Sequence, residues 1–182
     1  VNFSAFDPDE NPFGGPPRGF RALPGAYTVS MEKFEDGIYT QLVAPQPFKA
    51  VALNNTSLPA EDKSALLAFN KKVGELQRVV SGTSAYMGDI NNRLRFVKEA
   101  VMRSHGINTA EATKKVFELE RRMLDLGIAM NGDASLSRRE FEALPGIGGL
   151  VNGIAYSLWN TTAAPNGNME QAYQQAAQKF GA

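Results

Sequence analysis

Residues 66–101 read LLAFNKKVGELQRVVSGTSAYMGDINNRLRFVKEAV. Their apolar positions step by three and four from end to end: Leu66, Phe69, Val73, Leu76, Val80, Met87, Ile90, Leu94, Val97 and Val101, with Thr83 holding the phase. That period requires a helix with one apolar seam buried against other helices. Upstream, Asn54-Asn55-Thr56-Ser57 supplies N-cap candidates, Pro59 suits a first turn, and Glu61 and Asp62 complement the positive helix end. Downstream, Gly106 is available for a left-handed closing position after Ser104. A helix from Pro59 to Ser104 is about 69 Å long at 1.5 Å per residue. Gly82 and Gly88 weaken its middle by about 1 kcal/mol each, but the apolar phase survives them, which predicts one helix, with room for a bend.

Such a spine needs partners along its whole length. Asn108-Thr109-Ala110-Glu111 resembles a capping box, and the seam behind it is Ala112, Val116, Leu119, Met123, Leu126 and Met130, closed by Asn131-Gly132. That helix spans about 35 Å and covers only the distal half of the spine. Two further helices are predicted for the proximal half: residues 148–159, with Leu150, Ile154 and Leu158 in phase, and residues 166–180, with Met169, Tyr173, Ala176, Ala177 and Phe180. The expectation is a mainly α protein, an antiparallel helical bundle on one long helix.

Ahead of the bundle the pattern changes. Residues 1–25 form a Pro- and Gly-rich arm whose Phe3, Phe6, Phe13 and Phe20 are too apolar for a free linker and call for grooves to lie in. Residues 26–53 form a short antiparallel β segment: Ala26 to Glu32 and Ile38 to Val43 flank Asp36-Gly37, a hairpin signal. A third run, Phe48 to Leu53, follows Pro45 and Pro47, which suit a strand entry or an edge. Two or three strands cannot bury both faces of a sheet. The segment is therefore read as the end of an immunoglobulin- or fibronectin-like module begun upstream, ahead of a self-sufficient small sheet. Val1 in place of an initiating Met reads as a processed or internal boundary. Residues 54–182 make up the bundle.

Composition excludes more than it suggests. Nineteen basic and nineteen acidic residues cancel, so no electrostatic footprint for nucleic acid is expected. Cysteine is absent, which removes disulfides, thiolate nucleophiles and cysteine-based metal sites. No apolar run reaches the roughly 18–20 residues that span a bilayer, so no membrane insertion is expected.

No motif carries a reaction. Asp133 to Phe141 looks like half of an EF-hand, but Glu140 as its last ligand places Ala129 and Ala134 where an acid and a glycine are required. Ser137 with Glu140 reads instead as a capping box on a short turn. His105 is the sole histidine and sits at a helix end, where a structural role is expected. Glu61, Asp62, Glu118 and Glu120 belong on solvated faces. Gly146, Gly148, Gly149 and Gly153 lack the Gly-Lys-Ser/Thr ending of a phosphate loop and read as close helix packing. Asn54, Asn55 and Asn160 fit glycosylation acceptors, relevant in a eukaryotic secretory host. Tyr156 and Trp159 are expected to anchor the core, with a ligand or interface contact as their alternative role. No catalytic residue, metal ligand or cofactor is assigned.

In order along the chain, the Pro-rich opening, Leu23-Pro24-Gly25-Ala26-Tyr27-Thr28-Val29, the long helix, and Pro145-Gly146-Ile147-Gly148-Gly149-Leu150-Val151-Asn152 followed by Tyr156-Ser157-Leu158-Trp159 resemble the C-terminal region of exported bacterial sortilin-like, BNR-repeat β-propeller proteins, often labelled glycosyl hydrolases. The resemblance implies a sandwich remnant and helical tail behind a propeller, in an extracytoplasmic protein whose ligand site lies in that propeller. The leading expectation is a non-catalytic accessory and assembly module whose partners are the upstream domains of its parent chain, with self-association through the β edge. The alternatives are a part of a glycan-acting hydrolase that lines its cleft, and a free-standing helical adaptor.

Overall fold

The computed structural model describes residues 20–53, 56–106 and 108–181. The Phe3, Phe6 and Phe13 arm lies outside the described residues. The chain is mainly helical: a two-stranded antiparallel sheet, β1 (Gly25–Glu35) and β2 (Ile38–Ala50), precedes α1 (Lys63–Arg103), α2 (Thr109–Asn131), α3 (Ala134–Ser137), α4 (Ile147–Asn160) and α5 (Gly167–Gly181). It divides into two compact units, one reaching Ala68 and including Thr162–Ala164, the other Phe69–Thr161 with Pro165–Ala182.

In the first unit, Asp36 (φ 51°) and Gly37 (φ 81°) both take the left-handed conformation that a two-residue hairpin turn demands. The expected third strand does not form separately. Phe48, Lys49 and Ala50 are the end of a 13-residue β2 that runs through Pro45 and Pro47, with Pro47 opposite Thr28. In a two-stranded ribbon alternate residues turn their backbone groups away from the partner, so proline fits at such positions without removing a ladder bond. After the ribbon, buried Ala60 donates its N–H to the Thr162 carbonyl (2.8 Å) and the Thr162 hydroxyl donates to Thr56 Oγ1 (2.8 Å). Helix α1 then starts at Lys63 and not at Pro59, because Asp62 is the residue that caps it: one carboxylate oxygen accepts the N–H groups of Ser64 and Ala65, each at 2.9 Å.

The second unit is built on the rest of α1, which continues unbroken through Gly82 and Gly88. A Cβ at either glycine would meet nothing within 4 Å. Val73, Val80 and Leu94 are buried and most of the remaining seam is half-buried; only Val97, 49% exposed, departs from it. The core gathers Val80 of α1, Met130 of α2, Ile147 and Val151 of α4, and Ala176 of α5, flanked by Leu76, Met87, Leu150 and Phe180. Thus α4 and α5 supply the partners the proximal spine required. Phe69 meets Tyr173 edge-on with centroids 6.1 Å apart, and Lys72 Nζ lies 4.6 Å from the same ring.

Three local expectations are corrected in α2 and α3. Asn108 has φ 76° and makes no side-chain cap; the Thr109 hydroxyl donates back to the Gly106 carbonyl at 2.8 Å, so the capping box is not formed. The buried stripe of α2 runs through Val116, Met123 and Met130 but takes Glu120 and Gly127 on its inner side, leaving Leu119 and Leu126 exposed. Lys98 explains the difference, since its ammonium donates to both carboxylate oxygens of Glu120 at 2.8 Å and holds that residue against α1. The α3 turn is capped by Asp133, whose carboxylate accepts from the Ser135 N–H (2.8 Å) and hydroxyl (2.6 Å), and not by Ser137 with Glu140.

The glycines around α4 divide. At Gly146 a Cβ would lie 2.6 Å from the Met130 carbonyl oxygen and from the Asn131 carbonyl carbon, and at Gly148 it would lie 3.2 Å from the same oxygen. The start of α4 therefore rests backbone to backbone on the end of α2, where Gly132 (φ 84°) donates its N–H to the Ile128 carbonyl. Gly153 is different: a Cβ there meets nothing within 4 Å.

Candidate interaction surface

Among the described residues, those of catalytic type remain dispersed. His105 is exposed two residues beyond the end of α1. Among the described residues no group of three His, Cys, Asp or Glu side chains could hold a metal ion, and no helix is long and apolar enough to cross a membrane. The shifted carboxyls have local structural causes. A side-chain hydrogen bond from Arg78, reinforced by its charge, holds Glu75 below its ordinary value, and the same pair raises Arg78. The Ser135 hydroxyl and N–H lower Asp133 by bonding its charged form. Both carboxylates are solvent-exposed, as a general acid or base tuned by burial is not.

The unusual chemistry lies on the ribbon. β1 alternates cleanly: Tyr27, Val29 and Met31 point to one face, and Thr28, Ser30 and Glu32 to the other. The register sets Phe48 opposite Tyr27, Gln46 opposite Val29 and Val43 opposite Met31, so both strands feed one largely apolar stripe interrupted by Gln46. The Tyr27 and Phe48 rings stack at 5.8 Å and 26°, and the Tyr27 hydroxyl donates to the Leu23 carbonyl at 2.6 Å. Alternation of this kind marks a sheet with one face on a core. Here that face is open: Val29 is 56%, Met31 59% and Phe48 51% exposed. At the tip, Phe34 and Tyr39 pair on the other face with centroids 4.6 Å apart.

Sequence reasoning placed Tyr156 and Trp159 in the core, and both are instead exposed on α4, at 68% and 44%. The buried face of α4 is made by Ile147, Val151, Ile154, Ala155 and Leu158. Five aliphatic side chains already fill that stripe, so the aromatics three residues apart fall beside it. The strand count of residues 26–53 anticipated a sheet face short of partners, but whether another element covers it was not readable, because exposure depends on what lies opposite. In comparisons with protein-family models, curated proteins and solved structures, the chain matches none.

Proposed function

We propose that this chain is a non-catalytic accessory and assembly module of a larger exported propeller protein, and that the apolar face of the ribbon is where it docks onto the parent's β-structured domains. The observation that carries the reading is the open stripe of Val29, Met31, Val43 and Phe48, continued by half-buried Tyr27, on a strand pair whose alternation is that of a half-buried sheet. Magnitudes favour a parent chain over a free-standing adaptor. Full burial of such a side chain is worth about 1.5–3 kcal/mol, so covering the exposed half of five yields roughly 5 kcal/mol. Association of separate molecules costs an estimated 4–15 kcal/mol, which leaves binding between separate molecules weak and measurable only at high concentration, whereas a neighbour tethered on the same polypeptide is present at millimolar effective concentration and stays docked.

The test is calorimetric titration of the propeller-bearing part of the parent with this chain, alongside Met31→Ser and Phe48→Ser. Saturable binding by the wild type, lost in both variants, is expected. Binding that is indifferent to both, or a gene with no propeller-bearing segment, contradicts the reading. A second reading is favoured by one observation, the exposure of Tyr156 and Trp159 three residues apart on α4: exposed aromatics are surfaces on which sugars stack, and these two would contribute to a glycan cleft. Quenching or shift of Trp159 fluorescence by soluble glycans, absent in Tyr156→Ala, supports it; unchanged fluorescence across a glycan panel removes it.

A further inference from the structure

The two free edges of the ribbon are unlike. On β2, Pro45 and Pro47 remove two backbone donors, and the strand carries 13 residues against the 11 of β1, with register shifts between Val29 and Met31 and between Met31 and Glu32. Missing donors and bulges are how natural sheets close an edge. β1 has no proline, and the extra residues fall on its partner. Its outward N–H and C=O groups form a row that another extended backbone matches. We propose that β1 pairs with β1 of a second copy of this chain, antiparallel about a two-fold axis through Val29, to give a four-stranded sheet in the order β2–β1–β1–β2.

The sequence of β1 is complementary to itself in that register. Val29 faces Val29, Tyr27 faces Met31 and Thr28 faces Ser30, so the apolar stripe runs on across the joint and the polar face stays polar. Lys33 meets Gly25 and Glu32 meets Ala26, which sets no like charges opposite each other. Moving the axis one residue to Ser30 sets Lys33 against Tyr27 instead. The two-fold also explains why one edge alone is blunted. A pair joined through β1 presents only β2 edges, so growth stops at two copies instead of continuing as a fibre. The inference rests on the ribbon being an assembly surface, but it uses the edge and leaves the apolar face free for the parent's domains.

The chain has no cysteine, which makes the test clean. Sedimentation equilibrium of the wild type across a dilution series is expected to show a reversible doubling of mass. Val29→Cys is expected to form a disulfide-linked dimer on air oxidation, since directly opposed residues in antiparallel strands have Cα atoms about 4.5–5.5 Å apart, within disulfide reach. Pro47→Cys on the closed strand is expected not to. Val29→Lys and Val29→Glu should each weaken the dimer several-fold by opposing like charges, and an equimolar mixture should restore it; unchanged far-UV circular dichroism verifies that the helices are intact. A wild type that stays monomeric, a dimer that Val29→Cys does not trap, or charge variants that dimerise normally overturns the pairing. A monomer that still binds the propeller-bearing segment removes this inference and leaves the docking role standing, and a dimer that does not bind it does the reverse.

Discussion

Gly146→Ala and Gly153→Ala make the same chemical change seven residues apart and should move stability in opposite directions. A Cβ on Gly146 would lie 2.6 Å from the Met130 carbonyl oxygen and the Asn131 carbonyl carbon, where the neighbours are backbone and cannot rotate away. Overpacking of this kind costs about 1–3 kcal/mol, and the rigidity of both partners points to the upper part of that range. Alanine also serves less well than glycine at the N-cap that Gly146 occupies. Against these stands a gain of about 0.4–1 kcal/mol from a less flexible unfolded chain. The net expectation is a loss of about 2 kcal/mol, roughly thirtyfold in the folding equilibrium. At Gly153, inside α4 and with nothing within 4 Å of the added carbon, only favourable terms remain, and a gain of about 0.5–1 kcal/mol is expected. Urea denaturation followed by far-UV circular dichroism reads both as shifts in midpoint at constant slope. A Gly146→Ala protein as stable as the wild type would refute the backbone-to-backbone seating of α4 on the end of α2.

Leu94→Asp places an unpaired carboxylate at a position only 8% exposed and should cost several kcal/mol, visible as loss of helical signal, while Glu118→Ala on the exposed face stays within about 0.5 kcal/mol. Asp62→Ala removes the two capping bonds to Ser64 and Ala65 and should lower stability by about 1 kcal/mol, with Asp62→Asn close to wild type. Because the folded-state pKa of Asp133 is lowered, its contribution to the α3 turn is present above the ordinary carboxylate range and is lost as pH falls through the lowered value. Amide exchange at Ser135 should accelerate, relative to its intrinsic rate, across that acid window, and should be insensitive to it in Asp133→Ala.

What was legible in the sequence follows period and backbone chemistry. The phase of Leu66 to Val101 announced α1 whole, because a seam read over so many turns outweighs two glycines in open positions. Asp36-Gly37 and Gly132 were readable because positive φ restricts the residue types that fit. The misread features depend on partners distant in sequence. Glu120 took an inner position because Lys98 reaches it from another helix, and Asp62 displaced the earlier cap candidates through the geometry of a single carboxylate. Tyr156 and Trp159 were displaced from the core by aliphatic neighbours that already completed the buried stripe of α4. For the candidate surface, the strand count of residues 26–53 pointed to a sheet face short of partners, but local sequence does not say whether another element of the chain covers it.

The central claim, that this face is a docking surface, is tested most directly by hydroxyl-radical footprinting of Met31 and Phe48, two readily oxidised side chains on the stripe. The isolated chain should label both as fast as exposed residues, and the chain bound to the propeller-bearing part of the proposed parent should label them several-fold more slowly, with exposed Tyr86 on α1 unchanged as a reference. Slow labelling of Met31 and Phe48 in the isolated chain, or equal labelling in both states, would contradict the account.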